Sequence, residues 1–587
     1  MAHHLARTEP NRRKADLMTL DISDEAPLPE PLLRRFNQLA ERHREPFIAM
    51  IDRLSEGRER NIDWWLSGPA GRNPHISPLF TRCMKLALVR ALLEDGLLPE
   101  VIITDSRAMA GVLRAGLRGG GVRVVWRFCW RGLWHVLRQP IWGLGSSLFH
   151  AGGAWLGAWL SRRLRRAPGP ASLILIDIMV LADSMRGGQF ADRYFTGMRA
   201  EIPEEVRSSA WYLPTFYQVR AYPSLFRALR RAADPFLFRE DYLKLSDYLF
   251  AFGHFWRASR FAIVRTSFAG FDVGPLLRED LRRGKYRRSA IDALLCYRFW
   301  PRLKASGVSL RTVVDWFEGQ DIDRGSIAGL SWFWPEVPVT GYCGVPVSPF
   351  YLCMTPSPAE VRAGVAPRRL ALTSRLAAHA LGANRPDLDV VVVPAFRYRQ
   401  LYSFRHSPEA APFCRVLVAL PIFPSVCLEI LRSLERVAAT LAPAGGFQFL
   451  IKAHPAFDEG QIARVFLRPW PAAFTWVSGP FHDWLSRADI VIGAGSVTLL
   501  EALACGVPVL VFASRSAVTE HHIPAGASAE SWSLCFDDEG LIDCLKQQRH
   551  PRREAMAASA GMLEALFDPV TPEGVAALID PPSGPNS

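Results

Sequence analysis

A chain of 587 residues, 49% of them hydrophobic, holds enough apolar mass for two large domains, which excludes wholesale disorder. Its ten cysteines show no short paired spacing, so neither a disulfide framework nor a zinc site is expected; they read as reduced, buried thiols of a cytoplasmic protein. The formal net charge of +13 is concentrated, because Ser106–Ile176 has eleven arginines and no Asp or Glu and so supplies +11 of it.

Residues 1–30 are polar and Pro-rich, lack the apolar run of a signal peptide, and are expected to form a loose arm. Pro31–Asp95 reads as helical, with helical apolar spacing over Phe47–Leu54 and Leu79–Leu93. Leu97–Thr104 ends in a strand, and Ser106–Leu117 is the helix after it. A basic, aromatic insertion over 122–166 follows. The acid-free stretch carries six of the eighteen tryptophans: Trp126, Trp130, Trp134, Trp142, Trp155 and Trp159. Arginine and tryptophan without acids suit anionic lipid headgroups; the plainer alternative is a solvated arginine face over core tryptophans. If Val122–Leu137 is helical, Trp126, Trp130 and Trp134 share a face beside a stripe of Arg123, Arg127 and Arg131. Gln139–Ser161 runs 23 positions without a charge, enough for a bilayer crossing of about 20 residues. Five glycines and four serine or histidine positions weaken that reading. A single crossing would also separate the strands Val101–Thr104 and Leu173–Ile178 if both belong to one sheet. The expectation is therefore an in-plane or re-entrant element at an anionic membrane surface on the cytoplasmic side.

Leu173–Ile178 is a near-continuous apolar run, the pattern of a strand buried on both faces. Leu225–Phe255 reads as helices, Ala262–Thr266 as a strand, and Arg311–Trp316 as a strand entering a turn. Pro335–Val347 reads as a Gly/Pro loop and Leu388–Val393 as a strand. Beyond Ser407 strands alternate with helices: Val416–Leu420, Ser425–Leu441, Phe447–Ile451, Gln461–Phe466, Phe474–Val477, Phe481–Arg487, Asp489–Ile492, Ser496–Cys505 and Val507–Phe512. That alternation predicts a doubly wound parallel sheet. The expected fold is α/β: two Rossmann-like doubly wound domains over 31–405 and 406–579, a helical N-terminal segment, the basic insertion, and a loose tail at 580–587.

The strongest local signal is ADIVIGAGSVTLLEALACGVPVLVF, residues 488–512. A strand ends at Ile492, and Gly493 and Gly495 permit a tight turn and close backbone approach. The helix starting near Ser496 offers free N–H groups to an anion, and the Ser496 and Thr498 hydroxyls can add donors. Glu501 can reach back toward a ribose. The alternative is that Ser496 is an N-cap only and Glu501 a surface charge. The second signal, Lys452-Ala453-His454-Pro455, also follows a strand, so both motifs fall at carboxyl ends, where parallel sheets bind ligands.

These residues resemble the nucleotide-binding half of GT-B glycosyltransferases over about residues 410–520. The His-Pro turn with a later Ser/Thr turn is similar to bacterial sialyltransferases and polysialyltransferases, and to polymerases that use CDP-linked polyols. The resemblance implies that His454, Pro455, Ser496 and Thr498 grip a nucleotide, often CMP. Of the retaining Glu-x7-Glu pattern, Glu501 would be the second acid, but the first position is Gly493, which points to inversion. Asn61–Phe80, Val313–Leu330, Gly341–Glu360 and Pro394–Tyr398 (PAFRY) resemble a family of bacterial surface-carbohydrate proteins of O-antigen or capsule gene sets. The resemblance thus implies an acceptor-side domain at 31–405, a nucleotide-sugar domain at 406–579, and a lipid-linked or polysaccharide acceptor.

An inverting transfer needs a base for the acceptor hydroxyl. Glu318, after the strand Arg311–Trp316 and before Gly319, is the first candidate, with Asp315 beside it; a solvated loop acid is the alternative. Asp321, Arg72, Asn73 and Arg397 are candidate acceptor or phosphate contacts, with a structural ion pair the alternative for Arg397. Asp321-x-Asp323 is a poor metal motif, so neither metal nor cofactor is expected, the nucleotide-sugar being substrate. Competing readings are a nonhydrolysing sugar-nucleotide epimerase and a non-catalytic membrane scaffold. Nucleic-acid binding is disfavoured, because the basic stretch has no recognised binding motif.

Overall fold

The computed structural model describes residues 18–580 except 129, 405–412, 442–445, 456, 458, 467, 525, 529 and 549–560. The tail expected at 580–587 thus lies outside the described residues, apart from Asp580. Two compact units divide the chain: one within Met1–Gly143, Phe255–Tyr286 and Ser514–Thr519, the other within Leu144–His254, Arg287–Ala513 and Glu520–Ser587. Residues 31–405 contribute to both.

The first unit is built on a three-stranded parallel sheet of β1 (Thr19–Asp21), β2 (Val101–Thr104) and β3 (Arg123–Trp126), with β2 central. Helices α1 (Glu30–Ser55), α2 (Leu79–Glu94) and α3 (Arg107–Gly116) belong to it. Three expectations change here. The segment 1–30 is not an arm throughout, because Thr19–Asp21 pairs with β2 and α1 starts at Glu30. Val101–Thr104 does not share a sheet with Leu173–Ile178, because β1 and β3 occupy both its edges. Trp126 does not share a helical face with Trp130 and Trp134; the β-branched run Arg123–Trp126 is a strand, and the helix α4 (Trp130–Leu160) begins after it. No helix among the described residues is long and apolar enough to cross a membrane.

The second unit holds two six-stranded, wholly parallel sheets. The first contains β4 (Leu173–Val180), β5 (Ala210–Phe216), β6 (Leu310–Trp316), β7 (Val339–Cys343), β8 (Arg369–Leu372) and β9 (Asp389–Val392) in the order β9-β8-β7-β6-β4-β5. Helices α5 (Tyr222–Arg231), α6 (Arg288–Ala305) and α7 (Asp321–Phe333) connect its strands. The second sheet contains β10 (Cys414–Ala419), β11 (Phe447–Lys452), β12 (Phe474–Trp476), β13 (Ile490–Gly493), β14 (Val509–Phe512) and β15 (Trp532–Cys535) in the order β12-β11-β10-β13-β14-β15. Its helices include α8 (Pro424–Leu441) and α9 (Val497–Ala504), and α10 (Pro572–Ile579) returns to pack in the core of the first sheet. The α/β class, the two Rossmann-like sheets and the helical N-terminal segment are as expected.

In each sheet the strand order reverses once, between β4 and β6 and between β10 and β13. The carboxyl edge at such a reversal is open, because the two loops leave in opposite directions. Strand β7 lies inside the segment expected to be loop. Gly341 is required there, because a Cβ would sit 2.6 Å from Cγ of Pro367 and 3.1 Å from Cβ of Phe317. No strand forms at Ala262–Thr266, a largely exposed stretch leading into a short hairpin, Ser267–Phe268 with Phe271–Asp272.

Helices α6 and α7 pack through glycine. A Cβ at Gly325 would lie 2.2 Å from the Ala293 carbonyl oxygen, and one at Gly329 would lie 2.6 Å from that of Tyr297. Gly325→Ala gains about 1 kcal/mol in helix propensity. It is still expected to destabilise the protein, because overpacking costs about 1–3 kcal/mol and a carbonyl cannot move aside. A lower urea midpoint is the expected reading; an unchanged or raised midpoint would show that the helices can part.

Candidate functional site

The segment Pro394–Tyr398 joins the two sheets of the second unit. The Tyr342 hydroxyl donates to the Pro394 carbonyl at 3.0 Å, and Phe396 is fully buried in the core of the first sheet. Its ring lies 5.8 Å from those of both Tyr342 and Phe195. Tyr398 is buried in the core of the second sheet, 4.3 Å from the ring of Phe567. Arg397, between them, is solvent-exposed and makes no hydrogen bond or ion pair among the described residues. Its guanidinium lies 5.8 Å from the Tyr194 ring and 5.9 Å from the Tyr398 ring. Burial by the surrounding walls works to lower its pKa, and Tyr398, Tyr194, Glu501 and Glu318 raise it past its ordinary value. Arg397 is thus an accessible but partly desolvated cation, coupled to acids carried on both sheets. The same edges meet where His522 Nδ1 lies 2.6 Å from the Pro346 carbonyl oxygen.

On the side of the first sheet, Glu318 leaves the end of β6 half-buried. The Trp316 indole N–H donates to its Oε1 at 2.8 Å. Asp323 Oδ2 accepts the N–H groups of Glu318 and Gln320, both at 2.9 Å. The Arg324 guanidinium donates to the Gly319 carbonyl and pairs with Glu360 at 2.7 Å, both side chains being almost fully buried. Gly319 has φ +67°, and a Cβ there would collide with the Cys353 carbonyl. The Glu318 carboxylate is thus presented by a loop with little freedom.

On the side of the second sheet, Ser496 is the N-cap of α9. Its hydroxyl accepts from the Thr498 N–H at 3.3 Å and lies 2.7 Å from the Thr498 hydroxyl. Ser496 therefore caps the helix, and the turn before it is open. Gly495 has φ +57° and is exposed, with nothing nearer to a Cβ than the Glu520 carbonyl at 3.8 Å. Gly493 is buried for a different reason: a Cβ would press on the Ala419 carbonyl oxygen at 2.9 Å, so it allows β13 and β10 to close at the reversal. Glu501 is not a surface charge. It is 8% exposed, and His482 Nε2 lies 2.8 Å from its Oε2, within ion-pair reach though not in line for a hydrogen bond. His454 is half-buried. Burial, then the Arg397 charge, lowers its pKa, which favours the neutral imidazole at pH 7. Lys452 points elsewhere, its ammonium donating to the Gly479 carbonyl at 2.6 Å, while Pro455 is exposed in the following turn.

Arg397, Glu318, Glu501 and His454 are therefore electrostatic neighbours. Four other candidates differ. Asp315 is 2% exposed, with one carboxylate oxygen lacking a hydrogen-bond partner. It lines a small pocket with Asp177, Asp323, Arg239 and Cys296, and at this depth its carboxylate is not presented to an acceptor. Arg72 and Asn73 belong to the first unit and are 3% and 4% exposed; Arg72 ends a short helix in the left-handed region, and Asn73 Oδ1 accepts from the His75 N–H. Asp321 is occupied by Arg287 at 3.3 Å. No three His, Cys, Asp or Glu side chains among the described residues are placed to hold a metal ion. The sequence reading missed Tyr194, Trp316 and His482, which position the site without carrying a motif.

No family model matches this chain, and no curated protein matches it. Solved structures are similar only in part. The S. aureus MnaA–UDP co-structure is 10% identical over 70% of this chain and 95% of that one, with a TM-score of 0.40. The Methanocaldococcus jannaschii UDP-GlcNAc 2-epimerase in complex with UDP-GlcNAc and UDP is 10% identical over 65% and 94%, with a TM-score of 0.40. The lipopolysaccharide outer core galactosyltransferase WaaB in its apo form is 13% identical over 70% and 99%, with a TM-score of 0.38. Likeness at this level assigns no activity to this chain.

The buried acids have a measurable consequence. Burial raises Asp323 from 3.8 to about 8 and Asp177 to about 6, and burial, then the charges of Asp323 and Asp177, raises Asp315 well above 3.8. A carboxyl raised in the folded state favours folding fully below its unfolded pKa and loses that contribution as pH rises through the folded value. Stability should therefore fall between about pH 4 and pH 8. Asp323→Asn keeps an acceptor for the Glu318 and Gln320 N–H groups but cannot ionise. Its melting temperature should gain on the parent as pH rises from 5 to 8, with part of the slope remaining from Asp177 and Asp315. Parallel curves would show that Asp323 is ionised in the fold.

Proposed function

We propose that this chain is a metal-independent GT-B glycosyltransferase that moves a sugar from a nucleotide-sugar to a lipid-linked or surface-polysaccharide acceptor at the inner face of the cell membrane. The observation that carries this reading is Arg397, a guanidinium without a bonded partner among the described residues, set between acids of both sheets. Such a cation can take the negative charge of a departing phosphate.

In this reading the phosphate lies between Arg397 and the open turn Gly493–Ser496. The N-terminal amides of α9 and the Ser496 and Thr498 hydroxyls supply donors. Neutral His454 hydrogen-bonds the nucleotide, and Glu501, steadied by His482, faces the ribose. Glu318 takes the proton of the acceptor hydroxyl, whose oxygen attacks the anomeric carbon. The bond from that carbon to the phosphate oxygen breaks, and the electron pair leaves with the nucleotide. Attack opposite the leaving group inverts the anomeric configuration. The resemblance to sialyltransferases makes a CMP-linked donor the first to test.

Thermal shifts with CMP, CDP, UDP and GDP identify the nucleotide. One of them should raise the melting temperature of the parent chain. Arg397→Ala should weaken its binding about 10- to 150-fold, the range of one charged hydrogen bond, and Ser496→Ala should weaken it less. A folded Arg397→Ala protein that binds the same nucleotide as tightly as the parent would remove the basis of the assignment.

Glu318→Gln separates chemistry from binding. Nucleotide affinity should stay within about twofold, while transfer to acceptor should drop about 10²- to 10⁴-fold, the usual contribution of a general base. Unchanged transfer would assign the base elsewhere, and donor turnover without acceptor would mark an epimerase.

A further inference from the structure

Helix α4 has its amphipathicity reversed. In its part within the second unit, Leu144–Leu160, and in Ser161, the buried positions are Ser147, Ala151, Ala154, Gly157, Ala158 and Ser161. These lie three or four residues apart, on one side of the helix. Half-buried Gly153 also belongs to this side: a Cβ there would lie 2.7 Å from the Tyr222 ring, and one at Gly157 would lie 2.8 Å from Phe226. His150 Nδ1 lies 2.6 Å from the Tyr222 hydroxyl, and the Ser161 hydroxyl donates to the Gly157 carbonyl at 2.7 Å. Only small side chains permit so close an approach to α5. The opposite side carries Leu144, Leu148, Phe149, Trp155, Leu156, Trp159 and Leu160, each 37–59% exposed. A water-facing helix places its large apolar residues inward; this one places them outward. A contiguous exposed apolar face of this kind marks a surface that is covered in use.

Charge identifies the cover. No acidic residue occurs from Ser106 to Ile176. Just beyond the helix, the 3₁₀ turn Arg162–Leu164 carries Arg162 and Arg163, both exposed, with the Arg162 guanidinium 5.2 Å from the Trp159 ring. Two copies meeting on this face would bring like charges together. An anionic bilayer supplies both an apolar layer for the leucines and tryptophans and phosphates for the arginines. We infer that the outward face of Leu144–Leu160 inserts, parallel to the surface, into the headgroup boundary of an anionic lipid bilayer. The helix cannot cross it, because its other side is engaged with α5. This inference does not depend on the donor chemistry.

Flotation of the full-length chain with phosphatidylcholine vesicles, with or without phosphatidylglycerol, tests it. The chain should float with the anionic vesicles, at least tenfold more than with the neutral ones, and less at high salt. Brominated lipids should quench tryptophan fluorescence. Leu148→Ser with Phe149→Ser, and separately Arg162→Gln with Arg163→Gln, should each reduce flotation at least fivefold while the far-ultraviolet circular dichroism of the parent is retained. The arginine pair leaves the apolar face intact and guards against a serine variant that misfolds. Folded parent chain that ignores anionic vesicles would overturn the inference. So would a parent dimer that the serine variant converts to monomer without a change in flotation.

Discussion

Three successive residues hold the candidate site together. Phe396-Arg397-Tyr398 opens a 3₁₀ segment, in which neighbouring side chains diverge by about a third of a turn. One direction enters the core of the first sheet, one enters the core of the second, and the third is exposed. The position of Arg397 is therefore set by two aromatic anchors and by no hydrogen bond or ion pair of its own among the described residues. Neither sheet can shift relative to this segment without moving a ring fully buried on its side. The 3.0 Å bond from Tyr342 to Pro394 makes the first anchor a backbone constraint as well.

That arrangement explains why the cation remains available. Arg397 has acids in its field from both sheets, and an unrestrained carboxylate would close on it as an ion pair. Each acid is engaged first. Glu318 accepts from the Trp316 indole, and Glu501 lies against His482. The indole is a neutral donor and leaves the Glu318 charge in place, so the crevice keeps separated positive and negative groups. Arg397 also acts on His454, where its charge and burial together favour the neutral imidazole. Among these neighbours the positive charge therefore sits on the Arg397 guanidinium, and His454 is held toward its neutral form.

The second sheet was almost fully legible, because its strands are buried on both faces and leave uninterrupted apolar runs between helices; only Trp532–Cys535 escaped. The first sheet was legible at Leu173–Val180 and Leu310–Trp316 but not at Val339–Cys343. There Pro338, Gly341 and Gly344 give the composition of a loop, although Gly341 serves close packing. Among the site residues, Glu318, Ser496 and Gly495 were visible because each follows a strand at a turn. Arg397 was visible only through the resemblance of PAFRY, since nothing in its spacing shows that Phe396 and Tyr398 enter different cores. His482 and Tyr194 act through partners distant in sequence, and no local pattern carries that information. Asp315 was misplaced because strand alternation states that a side chain lies on one face, not whether that face is open or sealed.

Helix α4 illustrates the same limit from the other direction. The sequence argument against a crossing relied on Val101–Thr104 and Leu173–Ile178 sharing a sheet, and they do not. The constraint that replaces it is local. Glycines and serines, which lower the mean hydropathy of the stretch, were counted as weakening an apolar run. Most of them lie on the inner side, where Gly153 and Gly157 admit the rings of Tyr222 and Phe226. A helix whose small residues are committed to α5 along its inner side has only one side left for lipid. The residues that made the run a poor span are therefore the same ones that fix which side faces out.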